Sequence, residues 1–356
     1  MTHFSAWPRW AAQLVLVVMI ALAVYAAIPK TAVQIVHMGP PGYDDRYFQR
    51  SVADLVTKGQ NYYAAAADQQ RAHFYPTYPA ETFREPTLTW LLALLGTQTA
   101  RRAALLALLA GATVAMREAL DTTTIPKLWR LPATLFQITG FAISWHSLQA
   151  YQHEVWAALL MALSLGLYRP YRYWPSVIIA VLACLIRELA LPFIWAMGAF
   201  AIYERRWPEV KAWAIGMTVF LILFAFHLHV AAGFHRPTDL VSAGWLYGGG
   251  WDFVIETSRK NFVLYYSPAW VVSLAVCLGV IGLAGWRDPL VSRAALIVGG
   301  YVAAFLVVGR PDNAYWGMMY SPLLPLGWVL APAALLDLIK RAGARNNAVG
   351  VTREAT

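Results

Sequence analysis

Residues 44–46 read Asp-Asp-Arg, two adjacent carboxylates followed at once by a guanidinium. A carboxylate within reach of a hydroxyl can take its proton, and a like charge beside it raises its pKa and makes it a better base. A simpler use is equally open to Asp44 or Asp45: a carboxylate just ahead of a helix accepts the orphan amide bonds of the first turn. Other groups able to do chemistry recur along the chain: Arg84 and Glu85, His146 and Gln149, His153 and Glu154, Arg187 and Glu188, His227 and His229, and Arg310 with Asp312, Asn313 and Tyr315. His146, Gln149 and His153 stand three and four apart, which predicts one shared face if a single helix carries them. Each group also has a structural reading. Arg187 and Glu188 can pair where two helices meet, the histidines can be interfacial hydrogen-bonders rather than metal ligands, and Asn313-Ala-Tyr-Trp can belong to an aromatic belt.

The elements that must position these groups are set by composition. Of the 356 residues 59% are hydrophobic and only 13% charged, against about 25% charged in a soluble domain. The chain therefore reads as an all-α, polytopic transmembrane bundle. The net charge of +9 comes from Lys and Arg clustered between apolar runs, the pattern that orients helices in a bilayer, so no nucleic-acid partner is expected. Cys184 and Cys277 lie in apolar stretches and act as small hydrophobes, and neither a metal site nor a cofactor is implied. Residues 11–28 are long enough to be a retained first span rather than a cleaved signal.

About ten spans are predicted, at 11–28, 101–119, 131–147, 152–168, 174–187, 189–204, 211–230, 268–286, 293–309 and 316–339. Basic residues arbitrate their direction: Arg117, Lys127 and Arg130, then Arg169 and Arg172, Arg205, Arg206 and Lys211, Arg287 and Arg293, and Lys340 and Arg341 fall on one side. That alternation puts both termini inside and requires a break near Arg187. Residues 1–340 are read as one transmembrane domain, with outer loops at 29–100 and 231–267 and a loose cytoplasmic tail at 341–356. In the first loop Phe48, Val52, Leu55 and Val56 recur at helical spacing and Leu88 to Leu95 forms a second apolar piece, so both predict surface helices. In the second, GWLYGGGWDF at 244–253 predicts an interfacial loop or lid. A charge at the centre of a membrane helix costs about 3 kcal/mol. The polar groups named above all fall at outer helix ends, and a polar cavity open to the outside satisfies them together.

Four stretches, GYDDRYF, FREPTLTWLLALL, LIRELALPF and GRPDNAYWGMMYSPLLPLG, together with the layout, resemble the GT-C glycosyltransferases, integral-membrane enzymes that use sugars carried on a polyprenyl phosphate. The resemblance covers layout and short stretches, not a continuous match. It implies a GT-C-like helical bundle with surface helices beneath an outer cavity, in the bacterial inner membrane with the site facing the periplasm. It further implies transfer from a polyprenyl-phosphate sugar to the hydroxyl of a glycan, lipid or protein acceptor, without a metal. An acidic residue early in the first outer loop is the base in that superfamily, which maps onto Asp45 or Asp44. Adjacent residues of a helix cannot both face one site, and Asp45 is the first choice. Where the superfamily has a Pro-Pro stretch this chain has Glu85-Pro86, which loosens the role of Glu85. Arg187 and Arg310 are expected to hold the leaving phosphate, with Arg84, Glu85, His146, His153, Glu154, Asn313 and Tyr315 as further substrate-binding candidates.

The competing class is a transporter or lipid flippase. Such proteins show paired halves and midplane charges, whereas here no internal repeat is present and the charges sit at the rim. No P-loop, dinucleotide fingerprint or Asp-x-Asp triplet occurs, which argues against a nucleotide-sugar enzyme.

Overall fold

The computed structural model describes residues 2–29 and 44–344. Residues 39–43, ahead of the acidic pair, and the tail from 345 onward lie outside them, as does most of the 29–43 linker. Among the described residues every regular element is helical. The first apolar run is α1 (Arg9–Ala27). The first outer loop holds three helices, α2 (Asp45–Thr57), α3 (Tyr62–Ala72) and α4 (Thr87–Leu95). The predicted amphipathic spacing is that of α2, which buries Phe48, Val52 and Ala53. The alanine-rich α3 was not anticipated, since its apolar residues are too small to give a strong periodic signal.

There follow α5 (Gln98–Asp121), α6 (Lys127–Gly140), α7 (His153–Leu167), α8 (Trp174–Ile186), α9 (Leu191–Tyr203) and α10 (Trp207–Ala232). The second loop carries α11 (Gly250–Ser258), and the chain ends in α12 (Ala269–Ala284), α13 (Pro289–Phe305) and α14 (Leu324–Gly343). Thus the expected loop at 244–253 already enters a helix at Gly250, and the expected tail is still helical through Gly343.

Four segments are long and apolar enough to cross a membrane, Arg9–Ala27, Gln98–Asp121, Trp207–Ala232 and Ser321–Gly343. Five further apolar helices have 10–17 residues. Only 11% of the α1 window is buried, and Leu14, Val17, Val18, Ile20 and Val24 lie on its exposed surface. A face of that size and polarity has no stable place in water; it is the surface a bilayer covers. The chain is a helical membrane protein.

Helix ends gather at two opposite poles. At one, Arg293 at the start of α13 donates to the Tyr168 hydroxyl after α7 (2.6 Å), to Glu204 after α9 (2.8 Å) and to Glu209 at the start of α10 (3.3 Å). Asp288, between α12 and α13, accepts the Thr124 amide between α5 and α6 at 2.9 Å. Thr2 there contacts the carboxylate of Asp337 in α14. Helices α12 and α14 meet so closely that a Cβ on Gly282 would stand 1.9 Å from the Gly327 carbonyl oxygen, the small-residue contact that membrane helices use. The opposite pole carries the acidic pair.

Candidate functional site

Asp44 and Asp45 take different positions because helix α2 begins between them. Asp44 is the N-cap: its Oδ1 accepts the Arg46 amide at 2.9 Å and the Tyr47 amide at 3.4 Å, and its Oδ2 accepts from the Arg46 guanidinium at 2.5 and 2.9 Å. Burial raises its pKa, but Arg46 and the two amides outweigh burial and hold it below the ordinary value. Asp45 is the first helical residue, and its carboxylate stands by Arg84 instead. Burial pushes its carboxyl up, and Arg84, with the Tyr315 and Tyr75 hydroxyls, only partly draws it back. One aspartate is thus spent on the helix and the other is held as a readily protonated group.

A buried clamp fixes the direction of α2. Arg101 lies inside α5 and is 1% exposed. It donates to the Leu92 carbonyl (2.8 Å), Asp54 (2.6 Å), Thr57 (2.8 Å) and the Tyr151 hydroxyl (3.2 Å), joining α2, α4, α5 and the 3₁₀ turn Ser147–Tyr151.

Asp44 and Asp45 open onto a cavity of about 770 Å³ whose polar lining includes Arg84, Lys260, Arg310 and Tyr315. Arg84 Nη2 donates to the Tyr315 hydroxyl at 2.9 Å and lies 3.8 Å from Asp45 Oδ2. Burial, above the opposing pull of Arg84, raises the Tyr315 pKa, so the hydroxyl stays neutral. Tyr315 belongs to the 3₁₀ segment Pro311–Met319, where a helical span was expected from 316 onward. Gly317 anchors this segment on α11, since a Cβ there would stand 1.9 Å from the Thr257 carbonyl oxygen. Asn313 builds its first turn: its Oδ1 accepts the Arg310 amide at 3.2 Å while its own amide donates to the Arg310 carbonyl at 2.8 Å. Arg310 lines the cavity but pairs with Asp312 at 2.9 and 3.1 Å.

No family model, curated protein or solved structure matches the chain. What the site can do must come from its own geometry.

The other sequence candidates lie behind the cavity wall or outside it. Glu154 and Arg187, each 1% exposed, meet through Oε1 and Nε at 2.6 Å. Arg187 also contacts Glu188 and lies over the Trp316 ring at 6.0 Å, and Gln152 donates to the other Glu154 oxygen at 2.6 Å. Arg187 is therefore buried behind the lining, paired with Glu154 and Glu188, and does not itself line the cavity. Arg84 connects the two layers, standing 3.9 Å from Glu154 Oε1. Glu85 is 2% exposed, and among the described residues neither of its oxygens has a hydrogen-bond partner. Burial, then the charge of Glu188, pushes its carboxyl well above the usual range. His153 is buried outside the lining and its Nε2 has no hydrogen-bond partner. His146 departs most from expectation. The helix that was to carry it with Gln149 and His153 stops at Gly140 and is replaced by two 3₁₀ turns. His146 is exposed and accepts the Leu148 amide at 3.3 Å, while Gln149 alone of the three lines the cavity.

Lys260 was not anticipated at all. It follows α11, in a stretch expected to be loop, and burial lowers its pKa, against the pull of Glu256 and with the charge of Arg46 adding to it.

Proposed function

We propose that this protein is an integral-membrane glycosyltransferase of GT-C type, moving a sugar from a polyprenyl phosphate to an acceptor hydroxyl, with Asp45 as the general base. The observation that carries the reading is the pairing of Asp45, a half-buried carboxylate with a raised pKa, with guanidinium groups on one cavity at the helix ends. As the hydroxyl oxygen bonds to the anomeric carbon, Asp45 takes its proton. The bond from that carbon to the phosphate oxygen breaks, and the electron pair leaves on the polyprenyl phosphate. Arg84 and Arg310 supply positive charge where negative charge develops on the departing phosphate. Tyr315, held by Arg84, offers a neutral hydroxyl to the sugar.

In this reading the chain crosses the bilayer ten times with both termini cytoplasmic and the cavity facing the periplasm. Two features support that topology. The helix ends alternate between two poles, and Arg130, Arg206, Arg287, Arg293 and Arg341 gather at the pole away from the cavity. Helix α6, with 14 residues, spans only about 21 Å at 1.5 Å per residue. That falls short of a hydrocarbon core of about 30 Å, so the flanking 3₁₀ turns or local thinning make up the difference.

The test is transfer by the purified protein in nanodiscs, given polyprenyl-phosphate sugars of several kinds with membrane glycan and lipid acceptors. Release of polyprenyl phosphate with acceptor glycosylation is expected. Vectorial movement of a fluorescent lipid phosphate without release would support a flippase instead.

A further inference from the structure

Of the cationic groups lining the cavity, the three arginines each face a carboxylate: Arg46 with Asp44 at 2.5 Å, Arg310 with Asp312 at 2.9 Å, and Arg84 with Asp45 at 3.8 Å. Lys260 lines the same cavity, is partly buried and makes no ion pair or hydrogen bond through its ammonium among the described residues. Glu81, the lining carboxylate left over, is exposed. Burial lowers the proton affinity of Lys260; the nearby Glu256, which opposes this, is itself paired with Arg259 at 2.7 Å. The backbone holds Lys260 in place. The Lys260 amide donates to the Thr257 carbonyl at 3.1 Å, and the fully buried Asn261 donates to the Ser321 carbonyl at 2.9 Å.

Beyond Lys260 the chain turns to apolar side chains. Phe262 is 63% exposed and Tyr266 94%, while Tyr265 lines the cavity with Lys260. A fixed, unpaired cation inside a polar cavity, followed at once by exposed apolar and aromatic residues, is complementary to an amphiphile with an anionic head.

Resting on the transferase reading of this cavity, we infer that Lys260 binds the phosphate of the polyprenyl-phosphate ligand, with the Phe262–Tyr266 turn meeting the first part of its chain. Arg187, buried with its own carboxylates, takes no part. A point charge on a flexible stem suits a phosphate that must be released after transfer, whereas a planar fork locked to a carboxylate does not move to follow it.

The experiment measures binding of polyprenyl phosphate, polyprenol and inorganic phosphate to the full-length protein in neutral-lipid nanodiscs. Lys260→Met should weaken polyprenyl phosphate about ten- to a hundredfold, the range of a hydrogen bond to a charged group. Lys260→Arg should recover part of the loss, and polyprenol binding should not change. Wild-type affinity in Lys260→Met overturns the inference. Inorganic phosphate binding as tightly as the lipid overturns the lipid source and leaves a soluble phosphate as ligand. In case the variants fold poorly, the wild-type protein is treated with an amine-acylating reagent. Polyprenyl phosphate should protect Lys260 and leave Lys58 and Lys340 unprotected, and equal labelling of Lys260 with and without lipid overturns the inference. No sugar transfer is read here. A protein that binds the lipid through Lys260 yet transfers no sugar defeats only the transferase reading, and one that transfers sugar with Lys260 indifferent to lipid defeats only this one.

Discussion

Arg84 Nη2 lies 3.8 Å from Asp45 Oδ2, placing one guanidinium beside the carboxylate that faces the cavity. Burial raises the Asp45 pKa, and Arg84 is the strongest group pulling it back. Removing that charge takes away the largest influence opposing burial, so the carboxylate form is reached only at higher pH. In Arg84→Met the acid limb of the transfer-rate profile should move to higher pH, with Arg84→Lys between it and wild type. The check is transfer rate against pH, and a limb that stays in place in both variants would show that another group titrates.

Asp44 caps α2. Asp44→Asn should leave stability at neutral pH and transfer nearly unchanged, because Asn caps about as well as Asp, while Asp44→Ala should lose about 1 kcal/mol. The folded-state pKa of Asp44 lies below its ordinary 3.8. Its ionic contribution is therefore present above that ordinary value and is lost as pH falls through the lowered one. Denaturation of the detergent-solubilised variants across acid pH reads this directly.

The buried pair Glu154 and Arg187 should behave as structure. Removing one partner leaves the other buried charge with only its secondary partner, Glu188 for Arg187 and Arg84 for Glu154, and breaking a buried pair costs up to about 3–5 kcal/mol. Glu154→Ala or Arg187→Ala should therefore fail in folded yield, and the joint replacement Glu154→Gln with Arg187→Met should recover part of it. Folded yield by size-exclusion chromatography decides. A well-folded Arg187→Ala whose only defect is donor binding would return Arg187 to the phosphate.

A held, partly desolvated carboxylate costs stability. Because the folded-state pKa of Asp45 is raised above 3.8, the folded protein binds that proton more tightly than the unfolded chain, and stability falls as pH rises from the unfolded value through the folded one. Asp45→Asn should melt at a higher temperature than wild type at neutral pH, with the gain vanishing as pH falls toward the ordinary aspartate value. Melting curves at both ends of that window test the sign.

The positions of the apolar helices were legible because length and hydropathy mark them, and the break at Arg187 followed from charge alone. The cap at Asp44 was legible too, since an acidic residue ahead of an amphipathic run has a local meaning. What sequence could not supply was which of the two adjacent carboxylates caps α2 and which stands by Arg84; both line the cavity, against the expectation that adjacent residues of a helix cannot both face one site. His146 misled for a related reason. Helical spacing was extended through Gly140, and the change to 3₁₀ turns there rotates the following side chains away from one another. Arg187 carries the same residue type as a phosphate ligand would, and only burial against Glu154 distinguishes a structural cation from a binding one.

The most direct measurement compares wild type, Asp45→Asn and Asp44→Asn in nanodiscs for both polyprenyl-phosphate-sugar binding and sugar transfer. General-base catalysis is worth about 100- to 10,000-fold in rate. Asp45→Asn should therefore bind the donor normally and lose at least two orders of magnitude in transfer, while Asp44→Asn retains both. Wild-type transfer by Asp45→Asn, with donor bound, would contradict the assignment of Asp45 as the base.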